Sequence, residues 1–306
     1  MTVTVAIPVL NGGPLLTEVL EAVRGQTVAA EILVIDSGST DGSQALARRL
    51  GARVEEIPRS AFSHGGTRNR LMELSEGEHV AFLTQDATPA GPRWLEHLLR
   101  GFSRADDVAL VTGPYLPRPD AAPMVRRELT EFFARFGGPR VDRGSGTGTG
   151  PATFFTSANG AVARWAWERT PFRPVAYAED QQLALDMLAA GHARAYEPEA
   201  AVVHSHDLPP AAAFRRYFDD FRGLAEVHAH TEPLNPRFIA ARIRNDVAAD
   251  RAYMRREGLP VDTWGSLRHQ SARALGRSLG ANAGRLPAWA RRALSHDGRD
   301  TFEPVT

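Results

Sequence analysis

The chain opens on an apolar run, Val3 to Val9, and then changes period: Leu15, Leu16, Val19, Leu20 and Val23 recur at the spacing of one helix face. A second apolar run at Ile32 to Ile35 and a helical stretch from about Ser43 to Leu50 complete a strand-helix-strand unit, which implies parallel pairing. Further strands are expected at Val54 to Ile57, His79 to Leu83 and Val108 to Thr112, with helices near Thr67 to Leu74 and Pro92 to Phe102. Right-handed crossovers between such strands predict an α/β fold, a doubly wound and mostly parallel sheet flanked by helices.

Residues 137–152 are too rich in Gly, Ser and Thr to form a packed element and read as a mobile loop, an active-site flap rather than a linker. Sheet-like sequence resumes at Ala158 to Ala163, Ala193 to Tyr196 and Ala201 to Val203. Beyond Pro209 the pattern turns helical, with Phe214, Tyr217, Phe218, Phe221, Leu224 and Ala225 near 3.6 spacing and a second helix over Phe238 to Glu257. The organisation expected is a sheet domain over residues 1–208 and a helical C-terminal region over 209–306.

Composition narrows the chemistry. With 306 residues, 43% hydrophobic, the chain can bury a substantial core. All 36 basic residues counted with Lys are Arg, which excludes a lysine Schiff base and a P-loop lysine. Cys is absent, so there is no thiol nucleophile, disulfide or cysteine metal site. No stretch approaches the ~20 apolar residues of a membrane span, and the chain reads directly into a strand without signal-peptide character, so a cytoplasmic location is expected.

Formal charge is zero, yet it is segregated: residues 237–300 carry 13 Arg against 6 acids. There Leu286, Trp289, Ala290, Ala293 and Leu294 form a short stripe beside Arg285, Arg291 and Arg292. Two readings stand, docking on the catalytic domain or contact of 285–294 with an anionic membrane at the inner face, and docking is favoured because the stripe is short and two members are Ala. The charge segregation is too modest for nucleic-acid binding, and no recognition motif accompanies it.

Candidate chemistry collects where strands end. Asp36 closes the second strand before the small-residue loop Ser37-Gly38-Ser39, where its carboxylate could accept the imide N–H of a uracil or thymine ring. Asp86, after the run Val80 to Leu83, falls where a divalent cation would sit. In His204-Ser205-His206 strand alternation sends both imidazoles to one face, so either could complete that metal site. Gly65 and Gly66 open a helix and offer close backbone approach to a ligand, with His64 and Arg68 as candidate diphosphate contacts. Glu179-Asp180 begins another helix, where acids have an ordinary dipole explanation, but one of the two could also take a proton as general base.

Together these motifs resemble the family 2 glycosyltransferases of GT-A fold, and Phe62-Ser63-His64-Gly65-Gly66-Thr67-Arg68-Asn69 with Leu83-Thr84-Gln85-Asp86-Ala87 looks like the rhamnosyltransferase branch. The resemblance, over roughly residues 3–225, implies a GT-A fold with a helical C-terminal extension. It also implies inverting displacement on a nucleotide sugar, dTDP-rhamnose, with Asp180 of the Glu179-Asp180 pair as the base. The family's Asp-x-Asp motif aligns with Thr84-Gln85-Asp86, so only the second carboxylate is carried over. A metal-ligating His about two dozen residues after the base favours His204, 24 residues after Asp180, over His206. Pro8, Val9 and Asn11 match the first nucleotide-binding loop, and Gln85 joins the donor site.

The expected cofactor is Mg²⁺ or Mn²⁺, and the expected acceptor is a hydroxyl of a glycan, a lipid-linked sugar or a natural product. Nucleotidyl transfer and non-catalytic binding of a nucleotide sugar stand as the alternatives.

Overall fold

The computed structural model describes residues 2–144, 150–296 and 298. The first part of the chain forms β1 (Val3–Val9), α1 (Gly13–Arg24), β2 (Glu31–Asp36), α2 (Ser43–Arg49), β3 (Arg53–Glu56), α3 (His64–Leu74), β4 (His79–Leu83), β5 (Thr88–Pro89), α4 (Trp94–Phe102), β6 (Val108–Thr112), β7 (Tyr115–Leu116) and α5 (Pro123–Ala134). The second part forms β8 (Arg140–Asp142), β9 (Asn159–Ala163), α6 (Arg164–Trp167), α7 (Glu179–Ala189), β10 (Ala193–Tyr196), β11 (Val202–Val203), α8 (Pro210–His228), α9 (Pro236–Arg256), α10 (Thr263–Gly280) and α11 (Ala288–Leu294).

Eight strands build one sheet in the order β3-β2-β1-β4-β9-β6-β10-β8. The first four are parallel, with Val9 opposite Asp36 and Ala6 opposite Phe82, so the carboxyl ends of β1, β2 and β4 lie along one edge. Helices cover both faces, which is why Val5 to Ile7, Leu33 to Ile35 and Val80 to Leu83 are continuous apolar runs and all fully buried. The expected parallel sheet holds with two departures: β9 runs antiparallel between β4 and β6, and β8 antiparallel beside β10.

The second departure corrects the loop expected over 137–152. Residues Arg140 to Asp142 are an edge strand, and Asp142 accepts from the fully buried Arg194 on β10. The segment is therefore fastened at its start by backbone pairing and a buried ion pair, which a composition rich in Gly and Thr does not advertise. Residues 137–139, 143–144 and 150–152 carry no helix or strand, as expected, and residues 145–149 lie outside the described residues.

A small sheet, β5-β11-β7, has a larger role than its size suggests. Val203 pairs with Thr88 on one side and Leu116 on the other, so residue 204 is carried to the edge where residue 86 emerges.

From residue 210 onward the described chain is helical, and α8, α9 and α10 pack on one another and on α5. Neither α5 nor α10 is evident in the apolar pattern. The buried face of α10 is Ser266, Gln270, Ala272, Ala274, Gly276, Ser278 and Gly280, small and polar, so no hydrophobic period marks it. Ser266 and Gln270 donate to the Asp250 carboxylate of α9, which also pairs with Arg127 of α5 at 2.6 Å.

The C-terminal stripe docks in part, with Ala290 buried and the Ser295 hydroxyl and His296 N–H donating to Asp219 of α8. Trp289 stays 71% exposed. Among the described residues no helix is long and apolar enough to cross a membrane.

Candidate active site

The carboxyl ends of β1 and β2 form the floor of a cavity of about 1230 Å³, with Pro8, Val9 and Ser37 on its surface. Ser37 is pinned there because both its N–H and its hydroxyl donate to the Val9 carbonyl. Asp36 lies beneath the floor, fully buried. Its Oδ1 accepts from the N–H groups of Gly38 and Ser39 and from Gln44 Nε2, at 2.9–3.0 Å. Its Oδ2 has no hydrogen-bond partner among the described residues, and an unpaired buried carboxylate oxygen is costly enough to require a function or a ligand.

Asn11 and Gly38 do not reach the cavity. Asn11, in a left-handed backbone conformation at φ 50°, accepts from the Thr40 N–H and donates its own N–H to Ser39, so it ties the β1 loop to the β2 loop. Both residues act on the donor floor by shaping it.

Asp86, His204 and His206 come together as the small sheet requires. Their ligand atoms lie within 4.8 Å of one another, with His204 Nδ1 3.6 Å and His206 Nε2 3.5 Å from the Asp86 carboxylate oxygens. Alternation holds, because Ser205 points away and accepts from the Arg118 N–H. Burial lowers both imidazoles, His206 to about 4, which favours the neutral ring with one nitrogen lone pair free to act as a ligand. One carboxylate and two neutral imidazoles fit a divalent cation of intermediate softness.

Gln85 lies on the cavity and also has a structural task. Its Oε1 accepts from the Leu10 N–H and its Nε2 donates to the Leu10 carbonyl, so this cavity-lining side chain clamps the end of β4 to the end of β1. An Asp could not supply the donor half of that clamp.

One more expectation needs correction. The space in front of Gly65 is taken by the Arg173 carbonyl, 2.6 Å from where a Cβ would stand, so its close approach is to the chain's own backbone. Arg68 lines the cavity but is buried, and part of its guanidinium is engaged within the protein. It donates to the His64 carbonyl and pairs with Glu179 at 2.9 Å, both side chains only 6% exposed. The pair joins α3 to the start of α7. His64 does reach the cavity, its ring packed between Phe62 and Tyr177.

Glu179 is thus occupied, and Asp180 is the carboxylate open to the cavity. Asp180 Oδ2 accepts from the Ser157 N–H at 3.0 Å and from the Ser157 hydroxyl, while Oδ1 accepts from the Gln181 N–H. Burial, reinforced by the neighbouring Glu179 charge, pushes Asp180 up to about 6 against the opposing pull of Arg68. For Glu179, burial acts upward but Arg68 and then His64 outweigh it and hold it below the usual carboxylate range. The two adjacent acids thus have their pKa values driven apart, Asp180 upward and Glu179 downward.

The residue before them is strained. Ala178 caps α7 at φ 61°, a left-handed conformation that costs an alanine roughly 1–2 kcal/mol. It is held there by α8: a Cβ on Gly223 would stand 2.9 Å from Tyr177 Cβ and 3.1 Å from Ala178 Cβ.

Several cavity residues escaped the sequence reading, among them Tyr115, Ser157, Tyr177 and Arg216. The Tyr115 hydroxyl bonds Thr156, and its ring packs edge-on against His204 at 5.1 Å. Arg216 pairs with Asp220 one helical turn on, a spacing that reads as an ordinary exposed helix pair. Nothing in the local sequence distinguishes Ser157.

Comparison with known proteins agrees with this geometry. The chain is 34% identical over 231 residues to the O-antigen chain rhamnosyltransferase RfbN of Salmonella typhimurium, covering 72% of this chain and 71% of that one. It is 34% identical to the O-antigen chain rhamnosyltransferase WbaN of Salmonella anatum, covering 71% and 70%. In structure it resembles the mannosyltransferase PcManGT from Pyrobaculum calidifontis in complex with GDP-Man and Mn²⁺, with a TM-score of 0.60 at 18% identity over 90% of this chain and 86% of that one. It also resembles residues 1–349 of TarS from S. aureus, with a TM-score of 0.55 at 14% identity over 93% and 91%. The fold is GT-A. The profile of Glycosyl transferase family 2 matches residues 4–159, which contain the ends of β1 and β2 and Asp86, and with the two rhamnosyltransferase relatives it shows that this chain belongs to the family 2 glycosyltransferases.

Proposed function

We propose that the protein transfers a deoxyhexose, L-rhamnose from dTDP-rhamnose, with inversion, to a hydroxyl of a glycan, lipid-linked or natural-product acceptor. The observation that carries this is Asp180, a carboxylate pushed up to about 6 that opens on the cavity shared with the nucleotide floor and the Asp86, His204 and His206 cluster. A base works best with a pKa near the working pH, and Asp180 is held rigidly at a helix start by Ser157.

In the reaction the acceptor oxygen bonds the anomeric carbon as its proton passes to a carboxylate oxygen of Asp180. The bond from that carbon to the diphosphate oxygen breaks on the opposite face, and dTDP leaves. Glu179 acts on this step through charge, since its ionised form keeps Asp180 proton-hungry, and Arg68 keeps Glu179 ionised. Asp36, buried beneath the floor, supports the base from behind by fixing the Gly38 and Ser39 N–H groups of the loop. A divalent cation held by Asp86, His204 and His206 would neutralise charge on the departing diphosphate, and a set with two imidazoles favours Mn²⁺ over Mg²⁺.

Rhamnose as the sugar is supported by the two relatives of 34% identity, whose printed activity is rhamnosyl transfer. We also propose the division at residue 208, with α8 serving both parts, because Arg216 and Tyr217 line the same cavity as Asp86. Peripheral membrane contact through 285–294 would fall to Trp289 with Arg285 and Arg292, which are all exposed.

The test is a thermal-shift panel of nucleotide sugars with and without Mn²⁺, since a ligand that binds only the folded state raises Tm. The largest shift is expected for dTDP-rhamnose, followed by dTDP release once an acceptor is added. A larger shift with another sugar overturns the donor, and pyrophosphate release overturns the reaction.

A further inference from the structure

We propose that the arm of the cavity walled by α5, α8, α9 and α10 binds the acceptor as an uncharged oligosaccharide of at least two sugar rings, its reactive end at Asp180. This rests on the glycosyl-transfer reading above and adds the acceptor class to it. The first observation is size. A single small ligand occupies roughly 300–1,000 Å³, whereas this cavity of about 1230 Å³ runs on from the nucleotide floor to Asn245 and Asp246 of α9.

The second is the surface the arm presents. Phe132 of α5, Tyr217 and Phe221 of α8 and Phe238 of α9 line it and are only partly buried. An aromatic face carries negative quadrupolar charge, and the C–H face of a pyranose is its complement. Three of these rings are fixed from α9 and α10 by stacked guanidiniums, Arg277 over Phe221 at 4.2 Å, Arg242 over Phe238 at 5.1 Å and Arg273 over Tyr217 at 5.6 Å.

The third is charge, and it decides between a sugar chain and a phosphate-bearing group. Each of those arginines already has an acidic partner: Arg273 meets Glu128 at 3.4 Å and Asp246 at 3.3 Å, and Arg242 and Arg277 share the buried Glu232. Of the six guanidiniums on this wall, Arg127 and Arg216 pair with Asp250 and Asp220 besides these three, so donors and acceptors lie side by side with little net field to attract an anion. Hydroxyl groups, which donate and accept, match such a wall. Length follows from α9, where Phe238 and Asp246 both line the arm eight residues apart, about 12 Å along the helix, a span longer than one pyranose.

The experiment uses the full chain on a printed panel of neutral mono- to tetrasaccharides built from hexoses and deoxyhexoses, at low and high salt, beside its dTDP-rhamnose thermal shift. Trisaccharides are expected to bind about tenfold more tightly than their terminal monosaccharides, with little salt dependence. Phe238→Ala and the exposed Asn245→Ala should each weaken the longer glycans and leave the donor shift unchanged. Binding that is equal for one ring and three, binding lost at high salt, variants without effect, or a chain that binds donor and no glycan all overturn the proposal. Absence of a donor shift in the unaltered chain falls instead on the glycosyl-transfer reading.

Discussion

The Arg68 guanidinium and the Glu179 carboxylate lie 2.9 Å apart, sealed from solvent, one residue from the proposed base. Their charges act on Asp180 with opposite signs. Activity requires Asp180 ionised, so kcat/KM should fall as pH drops through about 6. Glu179→Gln removes the charge that raises Asp180 and should move this acid limb to lower pH. Arg68→Met removes the charge that lowers it and should move the limb to higher pH, while costing about 3–5 kcal/mol of stability in urea melts. Limbs that shift in the same direction would falsify the electrostatic role.

Removal of the base itself separates chemistry from binding. Asp180→Asn should reduce kcat by roughly 10²–10⁴ and leave donor affinity close to that of the unaltered chain, as read by titration calorimetry. Full turnover by this variant would remove Asp180 from the reaction.

The proposed cation site rests on one carboxylate and two imidazoles. EDTA should abolish transfer and Mn²⁺ should restore it better than Mg²⁺. Asp86→Ala or His204→Ala should weaken Mn²⁺ binding, followed by electron paramagnetic resonance without any sugar, by roughly tenfold or more. Unchanged Mn²⁺ binding in both variants would place the ion elsewhere.

Gln85→Glu keeps an acceptor for the Leu10 N–H but turns an anion on the Leu10 carbonyl. The expected cost is about 1–3 kcal/mol of stability, seen as a lower urea midpoint, with donor affinity falling as the floor loosens. An unchanged midpoint would show the clamp to be idle.

Gly223→Ala places a methyl group against Tyr177 and Ala178, which hold the start of α7. A shift of about an ångström in a catalytic group can cost 10²-fold, so kcat should fall more than KM rises while the fold persists. Equal effects on both would mean that α8 merely packs there.

Much of the fold was readable because parallel strands buried on both faces leave unbroken apolar runs, and the helices between them keep a clear period. The site residues at strand ends were readable for the same reason, since Asp36, Asp86 and His204 each follow such a run. Arg68 was not. Its partner is 111 residues away, and an arginine at a helix start looks the same whether it meets solvent or Glu179. Gly65 was misjudged in kind, because a residue near a ligand site can serve the backbone behind it. The helix α10 was silent since its inner face is built of Ser, Gln, Ala and Gly, residues that pack by being small.

The three short strands β5, β7 and β11 come from residues 88, 115 and 202, a wide separation for so small a structure. During synthesis the nucleotide floor can assemble as soon as β1, β2 and β4 have emerged, whereas the cation pocket must wait for more than a hundred further residues. A nascent chain halted before β11 would carry Asp86 without His204 and His206, so the proposed cation site is among the last parts of the sheet domain to close.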